Sequence, residues 1–142
     1  MRNNRYEGGE CATLRRVRAP GDRVLELGAG LGLISTVAAG VAGVERIVSV
    51  EANPELIPLI RETHRLNGVT NVDLRNAIVA PEAGEDAPFY LRRHFWASSM
   101  EAGTFPFRKV VSIATIGLGE LIAELDPTVI VCDIEGGELG LF

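Results

Sequence analysis

The chain has few cysteines, no long unbroken apolar run and no surplus of positive charge, and each shortage excludes a class of protein. Its 142 residues include two cysteines, Cys11 and Cys132. Cys132 falls in a buried-strand pattern, so a disulfide framework is not expected and the composition reads as cytoplasmic. The apolar run after Gly32 is interrupted by Gly40 and Gly43 and ends at Glu45. A bilayer span needs about 20 consecutive apolar residues, so no membrane partner is expected. Met1-Arg2-Asn3-Asn4-Arg5 leads into polar residues, not into the apolar core of a signal peptide. Net charge is −5 and the pI about 5.1. A nucleic-acid groove needs a basic stripe, so nucleic acid is not an expected partner. The cluster Arg15-Arg16-Val17-Arg18 reads as the solvated face of a helix. No repeat, low-complexity tract or linker divides the chain, and one domain over residues 1–142 is expected.

What is present is an alternation of strand-like and helix-like segments in a chain that is 46% hydrophobic. That pattern predicts an α/β domain with a real core. Its most informative stretch is Val24-Leu25-Glu26-Leu27-Gly28-Ala29-Gly30-Leu31-Gly32. The apolar run reads as a buried parallel strand, the glycines as a tight turn, and Leu33 to Ala39 as the start of a helix. Glycine is needed where backbone passes close to a ligand or takes positive φ, because a Cβ would clash. The dinucleotide fingerprint would put a third glycine at position 33, which is Leu33. No Lys-Ser/Thr pair follows, so a phosphate-cradling P-loop is excluded. The pattern is a nucleotide site without a device for phosphate.

A second motif is Arg46-Ile47-Val48-Ser49-Val50-Glu51-Ala52-Asn53-Pro54. Glu51 closes a strand 19 residues after Gly32. Ligands of open parallel sheets bind outside the carboxyl ends of the strands, where such an acid accepts ribose hydroxyls. NAD proteins place an acid similarly, so the glycine spacing has to discriminate. Asn53-Pro54 then predicts a helix start, and Asn67-Gly68 its stop. Pro58 removes one early helical hydrogen bond and predicts a slight distortion. His64, on this helix, reads as a surface or packing residue.

The remaining elements follow from turn signals. A helix is expected over about Gly9 to Val17, a turn over Ala19-Pro20-Gly21-Asp22, and strands over Arg23 to Leu27 and Arg46 to Glu51. A third strand is expected over Val72 to Val79. Two short extra strands are expected at Phe89-Tyr90-Leu91 and Val110 to Ala114. A helix over Leu118 to Leu125 and a buried parallel strand over Thr128 to Ile134 complete the set.

Glu26-x-Gly28-x-Gly30-x-Gly32 after a first strand resembles motif I of class I S-adenosylmethionine (SAM) methyltransferases. The chemistry agrees with the resemblance, since SAM carries a sulfonium cation and an amino acid group but no phosphate. Asp133-Ile134-Glu135-Gly136-Gly137-Glu138 is similar to the Asp-(Ile/Val)-Glu-Gly-x-Glu signature of the FkbM-type family. Thr115 to Ile122 resembles the segment that precedes that signature, and Ser98-Ser99 a serine pair frequent there. The resemblance runs from about Arg23 to Phe142. It implies a three-layer, Rossmann-like α/β sandwich on a mostly parallel sheet, in strand order three-two-one-four. It implies SAM as cofactor and S-adenosylhomocysteine as product, held by Glu26, Gly28, Ala29, Gly30, Gly32, Glu51, Ala52, Asn76 and Asp133. The activity implied is O-methylation of a hydroxyl on a small molecule, polyketide or sugar.

Domains of this type continue past the signature with further strands, whereas this chain stops at Leu139-Gly140-Leu141-Phe142. The expectation is therefore a sheet without its C-terminal strands, whose apolar edge strand drives self-association and whose catalytic competence is in question. An alcohol needs a positioned base to take its proton. Asp133, at a strand end, is the first choice, with Glu135 and Glu138 as alternatives and a purely structural Asp133 as the competing reading. His94, among Phe89, Tyr90, Phe95 and Trp96, reads as a loop residue beside core aromatics before it reads as a base. A metal between Asp133 and Glu135 lacks a further ligand, so none is expected. Two other classes share this frame. One is a non-catalytic SAM-binding or interaction domain, which turnover assays would separate; the other is a NAD-dependent oxidoreductase, which NADH binding would separate.

Overall fold

The computed structural model describes residues 19–41, 43–94, 98–100, 103, 106–134 and 141. The expected helix over Gly9 to Val17 lies outside them, as do Phe95, Trp96, Glu135 and Glu138. In chain order the elements are β1 (Arg23–Leu27), α1 (Leu33–Ala39), β2 (Arg46–Glu51), α2 (Ile57–Leu66), β3 (Val72–Asn76) and β4 (Ile78–Ala80). They continue as β5 (Ala87–Leu91), β6 (Lys109–Ile113), β7 (Thr115–Gly117), α3 (Leu118–Leu125) and β8 (Val129–Cys132).

The main sheet has the order β3-β2-β1-β8, all parallel. This is the expected three-two-one-four order. β1 shows why the sheet is buried on both faces. Successive side chains point to opposite sides, so Val24 packs with Ile34, Ala38 and Ile47 under α1. Leu25 and Leu27 pack with Val48, Val50 and the α3 residues Leu118, Leu121 and Leu125 on the other face. α2 joins the α1 side through Ile57 and Ile60, which meet Ala29 and Leu74. The result is the three-layer, Rossmann-like α/β sandwich that the motifs imply. β4 and β7 form a short parallel pair, and β5 and β6 an antiparallel hairpin.

Three boundaries differ from expectation. The strand expected over Val72 to Val79 is two strands, because Asn76 turns its side-chain amide back to the carbonyls of Glu51 (2.8 Å) and Ala52 (3.1 Å). The chain then leaves the main sheet at Ala77, and β4 pairs with β7 instead. Thr115 to Gly117, for which no strand is expected from the sequence, is that partner strand. Finally, Asn53 does not cap α2. Its Oδ1 accepts the Glu55 N–H at 3.0 Å, which closes a turn and delays the helix to Ile57. Pro58 then falls in the first helical turn, where its missing N–H leaves no gap, so no distortion is needed.

Candidate functional site

The carboxyl ends of β1, β2, β3 and β8 lie side by side: Leu27 is in register with Val50 and with Cys132, and Glu51 with Asn76. The turn after β1 is built on glycine. Gly28, Gly30 and Gly32 take φ of 86°, 55° and 76°, a region L side chains rarely enter. Its opening N–H groups, from Gly28 and Ala29, donate to the Val50 carbonyl at 2.9 and 3.2 Å. The turn is thereby pinned to the end of β2.

Glu51 is 8% exposed and cross-braces this turn. Its Oε2 accepts the Gly30 N–H at 2.9 Å and its Oε1 the Asn53 N–H at 2.7 Å. Burial pushes its carboxyl above the ordinary value, and the N–H groups of Asn53, Gly30, Ala29 and Ala52 pull against that rise. A solvated loop acid would show neither feature. An ionised carboxylate accepts about four hydrogen bonds, so a buried, pre-oriented carboxylate at this edge suits hydroxyl donors. Ala52 packs toward Phe89 and Leu91 of the hairpin. Asn76 ties the β3 end to the β2 end through the two amide bonds described above.

The β8 end approaches the turn from the other side. Asp133 N–H donates to the Leu27 carbonyl at 2.9 Å. A Cβ placed on Gly28 would lie 1.9 Å from the Asp133 carbonyl oxygen. Gly28 is thus required twice, for its φ and for this close passage. The Asp133 side chain is exposed. Glu26, by contrast, is 1% exposed inside the sheet, and its Oε2 accepts the Ser49 hydroxyl. The structure therefore brings Gly28, Ala29, Gly30, Glu51, Ala52, Asn76 and Asp133 to one edge and sets Glu26 below it.

Ser98 and Ser99 hold a different feature, the end of β5. Ser98 Oγ accepts the Arg92 N–H at 3.1 Å, and Ser99 Oγ accepts Arg92 Nη1 at 2.8 Å. Arg108 fastens the hairpin to the segment after β2 by an ion pair with Glu55. His94 is exposed. Sequence reasoning missed the link from Ser35 on α1 to His64 on α2, 3.0 Å across a buried contact. A polar residue on a helix face toward the core was its one signal.

The sequence model of the TRM5/TYW2 methyltransferase domain matches residues 4–80, just over half of the chain. The chain belongs to that family. Its fold is that of the class I SAM-dependent methyltransferases, and SAM is the cofactor. The site fits such a cofactor: the turn from Gly28 to Gly32 carries no basic side chain for a phosphate, and a carboxylate stands beside it. No curated protein matches the chain. Among solved structures, precorrin-6y C5,15-methyltransferase from Geobacter metallireducens shares 31% identity over 47% of this chain and 36% of its own, with a TM-score of 0.42. The YcgJ protein from Bacillus subtilis shares 20% identity over 51% of this chain and 30% of its own, with a TM-score of 0.44. The chain thus spans about a third of the length of each. Among the described residues of this TRM5/TYW2-type domain, no helix is long and apolar enough to cross a membrane.

Proposed function

We propose that this TRM5/TYW2-family domain is an O-methyltransferase of FkbM type whose methyl acceptor is a hydroxyl on a small molecule, polyketide or sugar. The observation that carries this reading is the placement of Asp133. Its exposed carboxylate stands at the end of β8, on the edge that holds Glu51, and its main chain lies against Gly28. The Asp133–Glu138 signature lies beyond the residues 4–80 that the family model covers. The FkbM assignment and the choice of acceptor rest on that signature.

In this reading Glu51 accepts the ribose hydroxyls, on lone pairs that Gly30 and Asn53 leave open. Gly28, Ala29, Gly30 and Gly32 cradle the cofactor, Ala52 and Asn76 flank it, and Glu26 supports the turn from below. SAM supplies an electrophilic methyl group on a sulfonium when bound. The chain's own part is positioning and proton transfer. Asp133 accepts the hydroxyl proton of the acceptor as its oxygen attacks, and Glu135 is the alternative base. The acceptor enters from the solvent side, where Asp133 is open. The domain works in the cytoplasm, and copies of the chain form a homo-oligomer.

The test is Asp133→Asn in the protein that carries this domain, assayed against a panel of hydroxyl acceptors. Removing a general base costs about a hundredfold or more in kcat, a loss that persists at saturating SAM. An Asp133→Asn protein with the wild-type rate overturns the assignment of the base. A protein that binds SAM yet methylates no acceptor favours the non-catalytic reading.

A further inference from the structure

One buried polar contact has no part in the chemistry above. His64 on α2 is 7% exposed and Ser35 on α1 is fully buried, with Ser35 Oγ 3.0 Å from His64 Nε2. The same ring nitrogen would stand 3.2 Å from a Cβ at Gly32, and Ile60 Cγ2 would stand 2.8 Å from it. The last glycine of the cofactor turn is therefore pressed onto α2 at the point where His64 emerges. Gly32 is also the N-cap of α1, and no side chain caps that helix. Its φ of 76° is held by what packs behind it.

The hydrogen bonds around Gly32 say which way the proton points. The Gly32 carbonyl already accepts Thr36 Oγ1 at 2.6 Å and Thr36 N–H at 3.1 Å. Those two donors use both of its lone pairs. Ser35 Oγ lies farther from it, at 3.4 Å, so the hydroxyl proton is best directed to His64 Nε2. Burial lowers the His64 pKa and favours the neutral ring, which keeps Nε2 available as an acceptor. α1 itself, Leu33 to Ala39, has no ionisable side chain to compete.

We propose that His64 is a positioning residue for the cofactor turn: by gripping Ser35 from α2 it holds the first turn of α1, and with it Gly32 and Gly30, where the cofactor is met. The Gly30 N–H bonded to Glu51 lies two residues before Gly32, so a shift of α1 loosens the brace at the β2 end as well. A histidine that only filled space would be replaceable by any apolar side chain of its size. One that acts through Nε2 is replaceable by glutamine, whose amide reaches the same place, and not by leucine.

The experiment compares His64→Gln, His64→Leu, Ser35→Ala and the Leu/Ala double variant, by SAM titration calorimetry and by amide exchange of the protein without SAM. His64→Leu and Ser35→Ala are expected to weaken SAM binding about tenfold each. The double variant is expected to lose no more than either alone, and His64→Gln to stay within about threefold of wild type. Without SAM, the Gly28 to Leu33 amides should exchange about tenfold faster in His64→Leu and at wild-type rate in His64→Gln. Wild-type SAM affinity in His64→Leu, additive losses in the double variant, or a glutamine variant as weak as the leucine one would each overturn the proposal. If His64→Leu does not fold, Ser35→Ala and His64→Gln still decide it. A wild-type protein that failed to bind SAM would overturn the cofactor itself, an outcome distinct from these.

Discussion

At the end of β2, Glu51 is 8% exposed and its two carboxylate oxygens are braced by the backbone of Gly30 and Asn53. At the end of β8, Asp133 is exposed, and it is the main chain that is held, by Leu27 and by close passage over Gly28. A side chain that binds by geometry gains from being fixed before the ligand arrives. A side chain that takes a proton from a variable acceptor has to stay accessible. Under the proposed function the contrast separates a holding end from a reacting end, and Gly28 is where the two touch.

The largest expected effect comes from breaking that junction. Gly28→Ala puts a Cβ into the Asp133 carbonyl at a φ of 86°. The strained φ alone costs about 1–2 kcal/mol, and displacing the β8 backbone adds to it. We expect a loss of about 3 kcal/mol of folding stability, read by thermal melting, and no SAM binding detectable by calorimetry. A Gly28→Ala protein of wild-type stability would mean that β8 does not pass over the turn as described.

The next effect sharpens the holding role. Glu51→Ala should weaken SAM binding about tenfold or more, because hydrogen bonds to a charged group contribute about 1.5–3 kcal/mol. Glu135→Ala should change it less. Equal Kd values for Glu51→Ala and wild type would reduce Glu51 to a brace within the protein.

The smallest effect concerns pH. Burial holds the His64 pKa below its usual 6.5 in the folded state, so the unfolded chain binds the proton first as pH falls. Its contribution is complete above pH 6.5 and is lost as the pH drops from there toward the lowered folded value. Glu51 works in the opposite sense, because its folded pKa is raised from 4.5. It adds stability as the pH falls through the raised value toward 4.5. Denaturant titrations across this range should show the His64 loss vanish in His64→Gln.

Much of this arrangement is legible in the sequence because local chemistry decides it. β1 starts after the turn at Pro20-Gly21, β1, β2 and α3 end at Gly28, Ala52-Asn53 and Asp126-Pro127, and the alternate glycines mark the turn after β1. What was not legible depends on partners distant in sequence. The break at Ala77 exists because the Asn76 amide finds carbonyls on the neighbouring strand end. β7 is a strand because β4 lies beside it. The delay of α2 is local, but Asn53 offers the same side chain to a cap and to a turn, and identity alone does not choose between them. Glu26 looked like its neighbours in the motif, yet the two-residue period of β1 turns it inward to Ser49.

The most direct test of the division between the two ends is a crystal structure of the domain with S-adenosylhomocysteine. The account predicts ribose hydroxyls within hydrogen-bonding distance of the Glu51 carboxylate, and the sulfur on the side of the site that faces Asp133. A ribose bound away from Glu51, or a sulfur turned away from the β8 end, would contradict it.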